Sequence, residues 1–262
     1  MTIFSCMRRA LRRAALYTFA TAIWGMTLVA RADLVQVVAA AKPSVVAVGT
    51  YDPLASPRFS FRGTGFVVGD GHQVVTNFHV LPADEATPLR LVVMVPGLAG
   101  GQPQMREVSL RASAVEHDLA LLSLAGAAMP ALVLSDRAVL DDGMAIAMIG
   151  FPLGSALGLT PVTHRGIIAA TTAIALPPPS VRQLDAKTLN RLRQGSFDVY
   201  QLDATAYPGN SGSPLLDVET GEVLGVVNMG FVKGTTESAL CAPSGISYAI
   251  PVKHVQALMA GR

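Results

Sequence analysis

Ser211 lies in Pro208-Gly209-Asn210-Ser211-Gly212-Ser213-Pro214, a serine with glycines close on either side. A serine hydroxyl attacks a carbonyl only when a base removes its proton and N–H groups receive the developing oxyanion. The glycines let the backbone turn tightly, and Gly209 and Ser211 are the residues whose N–H groups could converge on one spot. The same composition also makes an ordinary turn between strands, so the base must be sought elsewhere. His79 closes the run Val74-Val75-Thr76-Asn77-Phe78-His79-Val80, and Asp118 opens His117-Asp118-Leu119-Ala120-Leu121-Leu122. A buried carboxylate is costly unless a donor meets it, and an imidazole N–H is such a donor. Each residue alone has a bland structural reading. Together, in the order His, Asp, Ser and each beside a β-type run, they are what a nucleophilic triad on two β-lobes requires.

The elements that must position these residues read as strands. Apolar, β-branched runs occur at Ser44–Gly49, Gly65–Val68, Gln73–Thr76, Leu89–Val95, Val108–Ala114, Leu119–Leu124, Ala145–Ile149 and Val162–Ala170. The last third adds Val199–Ala204, Pro214–Val218, Glu222–Asn228 and Ile246–Ile250. Gly69-Asp70-Gly71 carries the Asp-Gly step of a hairpin, and Glu219-Thr220-Gly221 turns between two later runs. With 24 Gly, 17 Pro and 15% charged residues, the chain is an all-β protein, an antiparallel sandwich or barrel rather than a helical bundle or a βαβ fold. Two short helices frame it, Leu34–Ala41 ended by Pro43 and Pro251–Met259 at the close. Between the strands lies an insert, 176–197, in which Pro177-Pro178-Pro179 precedes helical spacing over 181–193.

Other chemistries fit poorly. Gly209-x-Ser211-x-Ser213 misses the Gly-x-Ser-x-Gly nucleophile elbow, and the triad order is not that of an α/β-hydrolase. Gly63-x-Gly65 is not followed by a helix pattern, so it is no dinucleotide loop. His72, His117, His164 and His254 lack metal-ligand spacing, and no cofactor is implied. His117 is expected on the opposite side of its strand from Asp118.

Six segments occur in order: Gly63-Thr64-Gly65-Phe66, Thr76-Asn77-Phe78-His79-Val80, His117-Asp118-Leu119-Ala120, Gly150-Phe151-Pro152-Leu153-Gly154, Gly209-Asn210-Ser211-Gly212 and Gly245-Ile246-Ser247-Tyr248-Ala249-Ile250-Pro251. Over roughly residues 42–260 this series resembles the protease domain of the HtrA/Deg branch of chymotrypsin-like serine proteases. The resemblance implies two six-stranded antiparallel β-barrels with the active site in the cleft between them and a short C-terminal helix. It implies His79 as general base and acid, Asp118 as its orienter, Ser211 as nucleophile, and an oxyanion hole from the N–H groups of Gly209 and Ser211. The substrate pocket would be formed by Thr205, Ala206 and Tyr207, with Val227, Asn228 and Met229 along one wall that runs on to Gly230. No acidic residue falls where an Arg/Lys pocket would need it, so small or medium aliphatic residues are expected before the cut. Where digestive relatives carry an aspartate that pairs with a newly cut N-terminus, this chain has Asn210, which cannot form that ion pair. Ser213 and Ser247 stand where the family usually has glycine, and Ser213 would be strained if its position required positive φ. The sequence ends at Arg262, so no PDZ domain is expected.

The formal charge of +2 is a property of the first 32 residues. Arg8, Arg9, Arg12, Arg13 and Arg31 lie there without an acid; 20 less five leaves 15 basic against 18 acidic residues, a net of −3. The basicity therefore gives no support to a nucleic-acid partner, and none is expected. Arginines before the apolar stretch Ala14–Ala30, with Ala30-Arg31-Ala32 after it, read as a signal peptide over 1–32. An uncleaved anchor would be the one membrane contact, and either form places 33–262 in the periplasm or outside the cell. Cys6 goes with the leader and leaves Cys241 alone, so the domain is held by its core rather than by disulfides. The expected partners are polypeptide substrates, with no oligomeric state indicated. The function expected is hydrolysis of peptide bonds in unfolded or damaged proteins. A proteolytically weak, substrate-holding domain, a serine esterase and a structural β-domain are the competing readings.

Overall fold

The computed structural model describes residues 33–82, 89–97, 101–154, 158–174, 197–229 and 245–261. The leader, the 181–193 helix of the insert, Gly230 and Cys241 lie outside the described residues.

Twelve strands form among the described residues. The first six are β1 (Val45–Tyr51), β2 (Phe59–Val68), β3 (Gln73–Asn77), β4 (Arg90–Val95), β5 (Gln104–Ala114) and β6 (Leu119–Leu124). They close into an antiparallel barrel in the order β1-β2-β3-β6-β5-β4. The second six are β7 (Ala145–Gly150), β8 (Val162–Ile174), β9 (Phe197–Asp203), β10 (Pro214–Asp217), β11 (Val223–Asn228) and β12 (Ile246–Pro251). These close in the order β10-β11-β12-β9-β8-β7. The expected all-β double barrel is therefore the fold.

Strand periodicity explains why many runs are apolar without alternation. Successive side chains point to opposite faces, and several strands are buried on both. In β1, Val46 and Val48 fill the first barrel, while Val45 and Ala47 join a core shared with the second. In β6, Ala120 and Leu122 point inward and Leu119 and Leu121 face the shared core. From the other side, Ile149, Leu216 and Val226 reach that core, while Met148, Leu215 and Val227 fill the second barrel.

Two helices complete the shared core. Helix α1 (Leu34–Ala41) buries Val37 and Ala41, and α2 (Val252–Met259) buries Val252, Val255 and Leu258. Pro251 ends β12 rather than opening the helix's first turn, and sits at the N-cap with φ −57°. Its missing N–H suits that junction, where no helical partner exists. His117 is not on a strand. It closes the 3₁₀ turn Val115–His117, stacking on His254 of α2 with ring centroids 4.0 Å apart.

Candidate active site

The two barrels deliver His79, Asp118 and Ser211 to one place. His79 lies in the 3₁₀ turn Phe78–Val80 that follows β3. Asp118 lies between the Val115–His117 turn and β6 in the left-handed region, φ 53°. Aspartate tolerates that conformation better than most residues. Here the Asp118 carbonyl accepts the Phe78 N–H at 3.0 Å and Asn77 Nδ2 at 3.1 Å, tying the two turns together. Asp118 Oδ1 then accepts the His79 backbone N–H at 2.9 Å, and Oδ2 lies 2.6 Å from His79 Nδ1. The carboxylate is buried, and His79 is 41% exposed. On the other edge of the ring, Nε2 lies 3.0 Å from Ser211 Oγ.

Asn228, at the end of β11, donates from Nδ2 to Asp118 Oδ2 at 2.6 Å. The same carboxylate oxygen thus faces His79 and Asn228, so the buried charge is met by three N–H groups in all. The sequence places Asn228 in the pocket wall. Its side chain is fully buried and bonded to Asp118. The signal that could have shown this is a polar residue directly after the apolar run Val223–Val227, which needs a polar partner if buried.

The Ser211 loop connects β9 to β10. Gly209 has φ 101°, and a side chain there would strike the Phe151 carbonyl and the Phe61 ring, so only glycine fits. Asn210 N–H donates to Tyr207 O and Ser213 N–H to Asn210 O, each at 3.0 Å. Among the described residues, the Gly209 and Ser211 N–H groups donate to no protein acceptor. Ser213 is not at positive φ; among the described residues only Asp118 and Leu153 are non-glycines there, so the strain considered from the sequence does not arise. Its hydroxyl occupies the space left by the missing side chain of Gly150. Ser247 donates to Ala204 O at 2.9 Å.

The other pocket residues divide by exposure. Ala206 and Val227 are buried in the second-barrel core, while Thr205, Tyr207 and Met229 are half-buried. Met229 N–H points to Ser211 Oγ at 3.4 Å. Among the described residues, no cluster of three or more His, Cys, Asp or Glu side chains could hold a metal ion.

The family model of the trypsin-like peptidase domain matches residues 63–226, more than half the chain. The chain belongs to the trypsin-like peptidase family. Its sequence relatives place it in the HtrA-like branch. It is 30% identical over 230 residues to serine protease HTRA3 of Homo sapiens, covering 86% of this chain and 43% of the human protein. It is 29% identical over 233 residues to serine protease HTRA1A of Danio rerio, covering 87% of this chain and 40% of the zebrafish protein. A probable periplasmic serine endoprotease, DegP-like, of Chlamydia muridarum is 30% identical over 200 residues, covering 76% of this chain and 33% of that protein. The trypsin-like domain thus spans less than half the length of these relatives. Among solved structures, the serine endoprotease from Yersinia pestis shares the fold with a TM-score of 0.61 and 24% identity, over 88% of this chain and 66% of that one.

Proposed function

We propose that this trypsin-like domain is an exported serine endopeptidase that cuts unfolded or damaged polypeptides. The observation that carries the reading is His79 bridging Asp118 at 2.6 Å and Ser211 at 3.0 Å. His79 Nε2 takes the Ser211 hydroxyl proton as Oγ attacks the scissile carbonyl, and returns it to the leaving amine. Asp118, held by Asn228, orients the ring and stabilises the imidazolium that forms. The Gly209 and Ser211 N–H groups receive the oxyanion, and water then releases the acyl group from Ser211.

The half-buried Thr205, Tyr207 and Met229 offer no charge to a side chain before the cut, which supports preference for small or medium aliphatic residues. Export rests on the arginine-led apolar stretch before Ala32. The periplasmic description of the Chlamydia relative agrees with it.

The test is cleavage of unfolded casein by the full chain, with the sites mapped by mass spectrometry. Cutting after Val, Ala or Ile is expected, and Ser211→Ala should lower the rate by at least ~10⁴-fold. Cleavage that survives Ser211→Ala would overturn the reading. Frequent cutting after Arg or Lys would overturn the aliphatic pocket alone.

A further inference from the structure

We infer that Thr64 is a positioning residue whose hydroxyl locks the Ser211 loop onto the first barrel, so that the oxyanion donors stay aimed before substrate arrives. The inference rests on the serine-endopeptidase reading and assigns work to two motifs, Gly63-Thr64-Gly65-Phe66 and Gly150-Phe151-Pro152, that the triad itself leaves without a role.

Thr64 is fully buried in β2. Its Oγ1 accepts the Phe151 N–H at 3.1 Å and donates to the Gly209 carbonyl at 2.7 Å. Its own N–H donates to the Ser211 carbonyl at 2.8 Å, and its carbonyl accepts Thr76 Oγ1 at 2.7 Å. Thr64 and Thr76 belong to the first barrel, whereas Phe151, Gly209 and Ser211 belong to the second. One residue therefore grips the serine loop at two carbonyls, on either side of Asn210, from across the cleft.

That grip matters because of what the loop is made of. Peptide units are rigid planes that turn only about their Cα atoms. Gly209, at φ 101°, has many alternatives and little intrinsic preference for this one. The Thr64 hydroxyl holds the Gly209–Asn210 peptide plane and the Thr64 N–H holds the Ser211–Gly212 plane. These flank the plane that carries the Ser211 N–H and adjoin the one that carries the Gly209 N–H, so the donors have less freedom to turn away before reaction. Donors placed in advance are the source of oxyanion stabilisation. A valine at position 64 would keep the shape and delete the hydroxyl. The Gly209 carbonyl and Phe151 N–H would then lose their partner.

The experiment compares the full chain with Thr64→Val, Thr64→Ser and Thr64→Ala. The readouts are kcat and KM on a reporter peptide taken from the casein sites, and Ki for a peptidyl aldehyde that forms a tetrahedral oxyanion adduct. Thr64→Val should lower kcat by about 10- to 100-fold with KM within about 2-fold, and weaken the aldehyde in parallel. Thr64→Ser, which keeps the hydroxyl, should bring kcat back to within about 3-fold of the parent. If Thr64→Val does not fold, the Ser and Ala variants isolate the hydroxyl, and Ala should be the slower by about 10-fold or more. Equal kcat in the Ser and Ala variants, or unchanged kcat and aldehyde affinity in a folded Thr64→Val, overturns the inference while leaving the endopeptidase reading intact. An inactive parent chain overturns both.

Discussion

Asp118 carries a charge inside the protein, and the number of N–H groups around it decides how well His79 is held. With His79 and Asn228 both on Oδ2, removing Asn228 leaves that oxygen with a single partner. Asn228→Ala should therefore lower kcat by about 10-fold, because a hydrogen bond to a buried charged group is worth roughly 1.5–3 kcal/mol. Steady-state rates on a casein-derived peptide check this, and an unchanged kcat would remove Asn228 from the machinery. Gly150 is sensitive for a different reason, since a Cβ there would press on Ser213 Oγ and stand 2.8 Å from Asn210 Oδ1 and 3.1 Å from Thr64 Oγ1. Gly150→Ala should cost about 1–3 kcal/mol by chemical denaturation, as overpacking does. It should slow cleavage more than its stability loss explains. At this scale the sequence was legible where several residue types combine into one chemistry. His79, Asp118 and Ser211 could be picked out from chemistry and order. The roles of Asn228 and Thr64 were not picked out, because no reaction chemistry names in advance the partners they bond, Asp118 110 positions and Gly209 145 positions away.

Elements show the same division. β6 begins and ends where its apolar run does, at Leu119 and Leu124. β2 begins at Phe59, six residues before the apolar run Gly65–Val68, because Phe59–Phe61 still pairs with Gly49–Tyr51 while partly exposed. β5 likewise starts at Gln104, along an exposed edge where polarity carries no strand signal. The junction between α2 and the Val115–His117 turn was invisible to periodicity. There His117 and His254 stack, with Phe197 edge-on to both. Burial pushes His254 down from 6.5 to about 4, helped by the His117 and Lys253 charges and opposed by Asp198. Burial also lowers His117, with Glu116 opposing and Lys253 adding to it. The folded state thus refuses protons that the unfolded chain accepts. Stability is unaffected above about pH 7 and falls as pH drops from 6.5 towards about 4. A shift of that size sets a ceiling of ~3 kcal/mol. Solvent reaching the half-buried ring reduces the expected loss to about 1–2 kcal/mol. His254→Phe should flatten urea midpoints measured between pH 7 and pH 4, and an unaltered pH slope would contradict this account.

For the molecule as a whole, the shared core makes the two barrels one folding unit. Leu216 and Phe66 join that core from opposite barrels, both fully buried. Leu216→Ala should cost about 2–5 kcal/mol. Both barrels should still melt in one transition, because α1, α2 and strands of both barrels pack into the same cluster. Separate transitions in calorimetry would mean the barrels are held less tightly than their packing indicates. One-unit behaviour matters for catalysis, since His79 and Asp118 come from the first barrel and Ser211 from the second. In the proposed mechanism this junction makes Ser211 a nucleophile with His79 as its base. Intact-mass spectrometry of the full chain after treatment with a fluorophosphonate tests it most directly. A single adduct is expected, mapped to Ser211 and lost in both Ser211→Ala and His79→Ala. An unmodified chain, or an adduct that persists without His79, would contradict it.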